Sequence, residues 1–263
     1  MDNLKVAILG GGPSAAFCFQ ACKERRCNVT IFADKLCTGG SAGAFILETV
    51  PERISFHEKY LVRILGLGFR RIYSEKQWGF AYPSSFPEIP RTSMIYNPED
   101  IFNDLWRDSD EVFKRSGKLS DEGIAELSKE YDFVFCTFPT KRIRATGFIK
   151  QIPVMYDNTP KHERDWKNWV IYDGHKKCPE VRISKLFGHI YTEYPMSWKP
   201  DNMTSGTWGW QPEIPPTAKP WPLDQVPAPN VHLIGRYAQL ERHFQSNQAY
   251  VRATELLLGL TND

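Results

Sequence analysis

Residues 4–15 read LKVAILGGGPSA, an apolar run followed by three glycines, a proline and two small residues. The run from Leu4 to Leu9 predicts a short β-strand. Pro13 suits the first turn of a helix, because the N–H that it lacks has no partner there in any helix. We expect that helix to extend to about Arg26. A second strand is predicted from Asn28 to Ala33, so the segment should form a βαβ unit of about thirty residues.

A glycine turn between a strand and a helix is suited to binding the pyrophosphate of a dinucleotide. Backbone N–H groups and the positive end of the helix dipole both face the phosphates there. Gly10 permits the tight turn, Gly12 the close approach of the ligand, and Ala15 the packing of helix on strand. The G-x-G-x-x-A pattern gains its specificity from this context. We predict a dinucleotide site at Gly10, Gly12, Pro13, Ser14 and Ala15; a glycine turn without a cofactor is the alternative.

The second strand should end at a carboxylate that hydrogen-bonds the ribose hydroxyls of the dinucleotide. Ala33 stands at the expected position, and Asp34 follows it. Either the strand end is shifted by one residue or Asp34 reaches round to the ribose. Lys35 leaves a second option open, since a cation there can bind the 2′-phosphate of NADP.

Further segments carry a resemblance to a known group of enzymes. Residues 34–41 read DKLCTGGS, residues 131–139 read YDFVFCTFP, and VHLIGR and NQAYVRA stand at 231–236 and 247–253. In this order they resemble the nucleotide-binding segments of the FAD enzymes related to amine oxidases and UDP-galactopyranose mutase. The mutase version carries an Asp where this chain has Asn247. The resemblance covers both ends and one middle piece of the chain, which is short for that family.

The resemblance implies that the cofactor is FAD rather than NAD. In such enzymes the N-terminus of the last helix points at the pyrimidine edge of the flavin, where backbone N–H groups stabilise negative charge on the reduced ring. The cofactor contacts that it implies beyond the glycine turn are Ala33, Asp34, Lys35, Gly39, Gly40, Ser41, Thr137, Pro139, Gly235, Arg236, Asn247, Gln248 and Ala249.

The fold expected from these patterns is an α/β protein with an FAD-binding Rossmann-type (doubly wound) domain and an inserted smaller α+β substrate domain. Two strands are predicted around Gly188, residues 51–80 are predicted to be partly helical, and a helix is predicted from Pro98 to about Lys114. The proline-rich stretch 195–229 should be an ordered loop without regular structure, because proline removes backbone donors. The predicted FAD domain comprises residues 1–50, 115–140 and 228–263, and the predicted substrate domain comprises residues 51–114 and 141–227.

The predicted activity is that of an FAD-dependent, amine oxidase-like oxidoreductase. The flavin carries the redox chemistry, so oxidation of a C–N bond of an amine or amino-acid-like substrate by hydride transfer needs little acid–base help from side chains. The catalytic candidates are Arg182 and Tyr191 on the late strand pair and His243 before the last helix. Arg182 would bind an anionic substrate, with a surface arginine as the alternative. His243 would carry a proton, with a structural role as the alternative.

Two other functions stay open from the sequence. One is a redox-neutral flavoenzyme, a mutase or lyase, acting on a nucleotide or on a group attached to a polymer. The other is a dinucleotide-binding module without catalysis. Anaerobic bleaching of the flavin by substrate separates the first alternative from net oxidation, and the second predicts binding with no spectral change.

Charge and composition limit the classes of binding partner that the sequence predicts. The 263-residue chain has a formal net charge of +2, from 33 basic and 31 acidic residues. This balance indicates no bulk attraction to nucleic acid or to a membrane. A small-molecule substrate, or a small group on a larger molecule, is therefore expected; a nucleic-acid base stays among the larger substrates.

The remaining sequence features indicate a cytoplasmic protein. No apolar run approaches the roughly 18 residues of a membrane span, and the N-terminus lacks the features of a secretory signal. The six cysteines form no C-x-x-C pair, so reduced thiols are expected. His175 and Cys178 could supply half of a metal site, but no second half follows at a suitable spacing, so no metal is predicted.

Overall fold

The computed structural model describes residues 4–37, 46–47, 59–67, 75–76, 91–116, 119–139, 150–157, 167–195, 197, 207–214, 226–239 and 246–259. The strands are β1 (Lys5–Leu9), β2 (Asn28–Ala33), β3 (Ile46–Leu47), β4 (Lys59–Leu67), β5 (Arg91–Tyr96), β6 (Phe113–Arg115), β7 (Phe133–Cys136), β8 (Lys150–Asp157), β9 (Trp169–Asp173), β10 (Arg182–Leu186), β11 (His189–Glu193), β12 (Thr207–Glu213) and β13 (Val231–Leu233). The helices discussed below are α1 (Pro13–Glu24), α2 (Pro98–Leu105), α3 (Asp121–Leu127) and α4 (Gln248–Leu258). No helix of these described ranges is long and apolar enough to cross a membrane.

A parallel sheet has the strand order β13-β7-β1-β2-β6 within the described ranges. β1 and β2 are neighbours joined by α1, which confirms the predicted βαβ unit. β7 lies on the other side of β1, so the direction in which strands are added reverses at β1. Such a switch point opens a crevice at the carboxyl ends of the strands, where ligands of α/β sheets bind.

Helices cover both faces of the parallel sheet, which confirms the doubly wound prediction. Val6 and Ile8 of β1 belong to the apolar core on the side of α1, α2 and α4. Ala7 and Leu9 belong to the opposite core, to which Ile124 of α3 contributes. Burial on both faces explains why β1 is a continuous apolar run rather than an alternating one.

Residues 98–116 pack with the parallel sheet. Ile101, Phe102 and Leu105 of α2 join the core around α1. β6 then pairs with β2 and forms one edge of the sheet. From the sequence we expected one helix from Pro98 to about Lys114 in the substrate domain. The structure instead ends α2 at Leu105 and turns the chain back to the sheet. The division into two domains stays a prediction.

A second sheet has the order β12-β8-β11-β10-β9-β4-β5-β3. Its neighbouring strands are antiparallel except for β4 and β9, which are parallel. The hairpin of β10 and β11 confirms the two strands predicted around Gly188. Phe187 and Gly188 form its turn with φ of 52° and 86°.

Two further secondary-structure predictions were contradicted in part. Within the range 51–80, predicted to be partly helical, residues 75–76 are helical but residues 59–67 form β4. In β4, Val62 and Ile64 are buried while Leu61 and Arg63 are exposed, which is the period of a strand. The other residues of this range lie outside the described residues. β12 lies inside the proline-rich stretch that was expected to lack regular structure. Pro212 is accommodated because β12 is the edge strand of its sheet, where a missing backbone donor can be tolerated.

Candidate functional site

The glycine turn lies at the carboxyl end of β1, where α1 begins. Gly10 has a φ of +112° and donates its N–H to the Phe32 carbonyl at 2.8 Å. A β-carbon on Gly10 would lie 2.5 Å from Oγ1 of Thr137, so this position requires glycine for both conformation and space. Gly12 is the N-cap of α1, and a β-carbon there would meet no atom of the described residues within 4 Å. The space in front of Gly12 is thus open.

The N-terminus of α1 keeps its positive dipole end. Within the described part of the chain no side chain caps it, its first turn contains no acidic residue, and Pro13 occupies the first turn as predicted. The first N–H groups of a helix have no partner within the helix. With Gly12 opening the approach, this end can accept an anionic group.

Gly11, to which the sequence pattern assigned no role, lies under the loop that follows β2. A β-carbon on Gly11 would lie 1.9 Å from the Lys35 carbonyl oxygen. The carbonyl of Gly11 accepts a hydrogen bond from the N–H of Cys37 at 2.6 Å. The carbonyl of Cys37 in turn accepts one from the indole N–H of Trp106 at 2.9 Å. The loop is therefore held against the glycine turn by backbone contacts.

The strands on the other side of β1 complete the crevice. Both the N–H and the hydroxyl of Thr137 donate to the Leu9 carbonyl, at 2.9 and 2.8 Å. Gly235, which follows β13, has a φ of +128°. A β-carbon on Gly235 would lie 2.7 Å from Oγ of Ser14. The C-terminal strand thus brings its turn against the first turn of α1.

A cavity of about 440 Å³ opens beside the glycine turn. Its volume falls within the ~300–1,000 Å³ of small-molecule and cofactor pockets. Asp34 and Lys35 line it together, and Nε of Arg115 lies 3.6 Å from Oδ1 of Asp34. Among the predicted contacts, those that line the cavity are Gly10, Gly12, Ala33, Asp34, Lys35 and Pro139. Those that the sequence did not indicate are Gly11, Phe32, Cys37, Ser116, Leu119 and Phe138.

The last helix packs on the first. Ala249 and Ala253 are buried in the core that α1 shares, and the thiol of Cys18 approaches the Ala249 carbonyl at 3.8 Å. Asn247 is the N-cap of α4 and Gln248 begins the helix, with no side-chain cap and no acidic residue in the first turn. This end of α4 has the same electrostatic character as the N-terminus of α1.

The remaining predicted contacts lie elsewhere or outside the described residues. Arg236 follows Gly235, and its guanidinium lies 5.6 Å from the ring centroid of Tyr237. Gly39, Gly40, Ser41 and the catalytic candidate His243 lie outside the described residues. Their predicted roles stay predictions.

Arg182 and Tyr191 lie in the second sheet. Arg182 forms an ion pair with Glu193, its cross-strand neighbour on β11, and its guanidinium lies 6.0 Å from the ring centroid of Tyr172. The two charged side chains are only 16% and 5% exposed. Tyr191 is cross-strand from Ser184, which is fully buried. The positive charge of Arg182 is thus compensated within the sheet, and a substrate anion would compete with Glu193 for it.

The described cysteines are free thiols. Burial raises the pKa of Cys18 and Cys22. A hydrogen bond from Cys22 lowers the pKa of Cys27, which is half-buried at the end of the α1 turn. A hydrogen bond to Asp173 raises the pKa of Cys178. The described residues contain no cluster of three or more His, Cys, Asp or Glu able to hold a metal ion.

Comparison with known proteins gives no match by sequence but a clear match by structure. No family model and no curated protein matches the chain. The crystal structure of reduced UDP-galactopyranose mutase is similar over 99% of this chain and 96% of that one, with a TM-score of 0.61 and 12% identity.

Two further solved structures have the same fold. One is a protein of Photorhabdus luminescens subsp. laumondii that is described as an FAD-containing monooxygenase. The two chains are 13% identical, the match covers 98% of this chain and 88% of that one, and the TM-score is 0.51. The other is the flavin-dependent halogenase CmlS, with 13% identity, coverage of 96% and 57%, and a TM-score of 0.51. The chain therefore shares the Rossmann-like fold of these solved structures, which confirms the resemblance at the level of fold.

Proposed function

We propose that the chain is a flavoenzyme that binds FAD at the crevice between β1, β2 and β7. The observation that carries this proposal is the open space in front of Gly12 at the uncapped N-terminus of α1. A diphosphate there would receive backbone N–H donors and the positive end of the helix dipole. The position also coincides with the switch point of the parallel sheet, where this class of fold binds its ligands.

The cavity beside the turn fits the adenosine half of the dinucleotide. The residues that line it include the aromatic Phe32 and Phe138 and the acidic Asp34. A base packs on apolar walls, and a carboxylate accepts hydrogen bonds from ribose hydroxyls. Lys35 would favour a 2′-phosphate instead, so NADP is the competing ligand. Two of the similar solved structures are named as FAD-containing or flavin-dependent, which supports FAD over NADP.

For the reaction, we propose oxidation of a C–N bond in an amine or amino-acid-like substrate. Bound FAD supplies the electron acceptor for such chemistry. The residues of this chain would bind and orient it: α1 at the pyrophosphate, and the first turn of α4 at the flavin ring, where its N–H groups favour negative charge. His243, Arg182 and Tyr191 are the candidates for substrate contact and proton transfer.

A redox-neutral reaction is the second candidate. It is supported by the likeness to UDP-galactopyranose mutase, which extends over nearly the full length of both chains. The order of strands and the position of the glycine turn do not separate the two reaction classes, because both use the same cofactor fold. A binding module without catalysis uses that fold as well.

The deciding experiment is an absorption spectrum of the purified protein, before and after heat release of any ligand. The visible bands of an oxidised flavin, followed by a released compound that comigrates with FAD, are expected. A colourless protein that also takes up no added FAD refutes the proposal. Candidate amines are then added anaerobically, and bleaching of the flavin supports net oxidation. Conversion of a candidate substrate by pre-reduced protein without an oxidant supports the redox-neutral class. FAD binding with neither bleaching nor substrate conversion supports a binding module without catalysis.

A further inference from the structure

The loop that carries Asp34 and Lys35 to the cavity is fixed by both backbone groups of a single residue. The N–H of Cys37 donates to the Gly11 carbonyl at 2.6 Å. The carbonyl of Cys37 accepts from Nε1 of Trp106 at 2.9 Å. One bond joins the loop to the glycine turn, and the other joins it to a residue 69 positions further along the chain.

Trp106 is itself rigidly placed. It is the C-cap residue of α2 and is 8% exposed. Its ring stacks on that of Phe19 in α1, with centroids 5.9 Å apart and planes 25° apart. Lys23, one turn further along α1, donates to the Arg107 carbonyl at 2.9 Å. The indole N–H therefore projects from a point that is anchored to the same helix whose N-terminus faces the cavity.

We propose that Trp106 is a positioning residue of the dinucleotide site. Its indole N–H holds the loop from Asp34 to Cys37 against Gly11 and thereby sets the place of the Asp34 carboxylate at the cavity. This inference rests on the proposed function, since it assigns Trp106 an effect on FAD affinity. The proposal also makes segment 98–116, which lies outside the βαβ unit, a functional part of the nucleotide site. Ser116 of this segment lines the cavity.

The test compares Trp106→Phe with Trp169→Phe by titrating flavin-free protein with FAD and following flavin fluorescence. Trp106→Phe keeps a ring to stack on Phe19 but loses the donor to Cys37. Loss of one such hydrogen bond should raise the Kd for FAD about three- to tenfold. Trp169→Phe is the same substitution at a buried site in the second sheet and should leave the Kd at its original value.

A double-mutant cycle separates positioning from general packing. If Trp106 acts through the loop, Trp106→Phe should weaken FAD binding much less in an Asp34→Ala background. An unchanged Kd in Trp106→Phe, an equal loss in Trp169→Phe, or fully additive effects with Asp34→Ala would overturn the inference. No FAD uptake by the unmodified protein refutes the proposed function itself, and the inference with it.

A measurement on the unmodified protein covers the case in which Trp106→Phe does not fold. FAD held by Asp34 should stabilise the loop, so the exchange of the Trp106 indole hydrogen with solvent, followed by NMR, should slow about tenfold on binding. An exchange rate that FAD does not change means that the loop and the ligand are not coupled, and the inference fails.

Discussion

The carbonyl oxygen of Lys35 lies 1.9 Å from the place where a β-carbon on Gly11 would stand. Residue 11 is therefore glycine because of the protein's own backbone rather than because of a ligand. We expect Gly11→Ala to displace the loop after β2 and to lower the free energy of unfolding by about 1–3 kcal/mol, the usual range for overpacking. Denaturant unfolding measures this change. A variant as stable as the original protein would show that the loop moves away freely.

Gly12→Ala is the matched control, because it should weaken FAD binding while leaving stability nearly unchanged. No atom of the residues that the structure describes lies within 4 Å of its added β-carbon, and its φ of −84° suits any residue. Stability should change by less than about 1 kcal/mol, while the methyl group fills the space proposed for the pyrophosphate. The measurements are the unfolding midpoint and the ratio of bound FAD to protein. Full FAD content in Gly12→Ala would place the pyrophosphate elsewhere.

Asp34 offers a separate test of the ribose contact. Its side chain and that of Arg115, 3.6 Å away, are 76% and 80% exposed, so their ion pair should contribute little to folding. Asp34→Ala should leave the unfolding midpoint unchanged and raise the Kd for FAD about ten- to a hundredfold, the effect of losing hydrogen bonds to a charged group. Arg115→Ala breaks the same ion pair and serves as the control, with the Kd retained. Equal losses in both variants would argue against a direct ribose contact by Asp34.

The parts of the fold that sequence predicted well are those with local signals. β1, α1 and β2 follow one another within thirty residues, and each has its own pattern: an apolar run, Pro13 at a helix start, and a β-rich run. The tight turn at Gly10, with its φ of 112°, also followed from this context. The hairpin around Gly188 was predicted for the same reason, because alternation and a turn residue stand side by side.

The features that were missed depend on contacts between distant residues. Residue 11 must be glycine because the Lys35 carbonyl lies too close for a side chain. The loop that carries Lys35 is held in place by the hydrogen bond from Trp106 to Cys37. No local sequence pattern links these positions. β4 was mistaken for a helix because Leu61, Ile64 and Leu65 fit helical spacing, whereas pairing with β5 and β9 selects the strand. Short apolar runs are ambiguous in this way until their neighbours are known.

The ion pair of Arg182 and Glu193 gives a prediction about the second sheet. Both side chains are largely buried, so removing one leaves an uncompensated charge. Arg182→Met should lower the free energy of unfolding by about 3–5 kcal/mol. The double variant Arg182→Met with Glu193→Gln should regain most of that loss, because neither charge remains. If the single variant is fully stable but loses activity, Arg182 is held for the substrate instead, as the sequence suggested.

The last prediction concerns the pH dependence of thiol reactivity. A hydrogen bond from the Cys22 thiol lowers the pKa of Cys27, so at a given pH more Cys27 is present as the reactive thiolate. Burial raises the pKa of Cys18 and Cys22, which keeps both protonated and shielded. Iodoacetamide should therefore alkylate Cys27 before those two, with a rate that rises with pH and reaches half its maximum below the ~8.5 of an ordinary thiol. In Cys22→Ala the donor is gone, and the midpoint should move up towards that value. Mass spectrometry of the alkylated peptides measures both effects; a midpoint that Cys22→Ala does not move would mean that the hydrogen bond does not stabilise the thiolate.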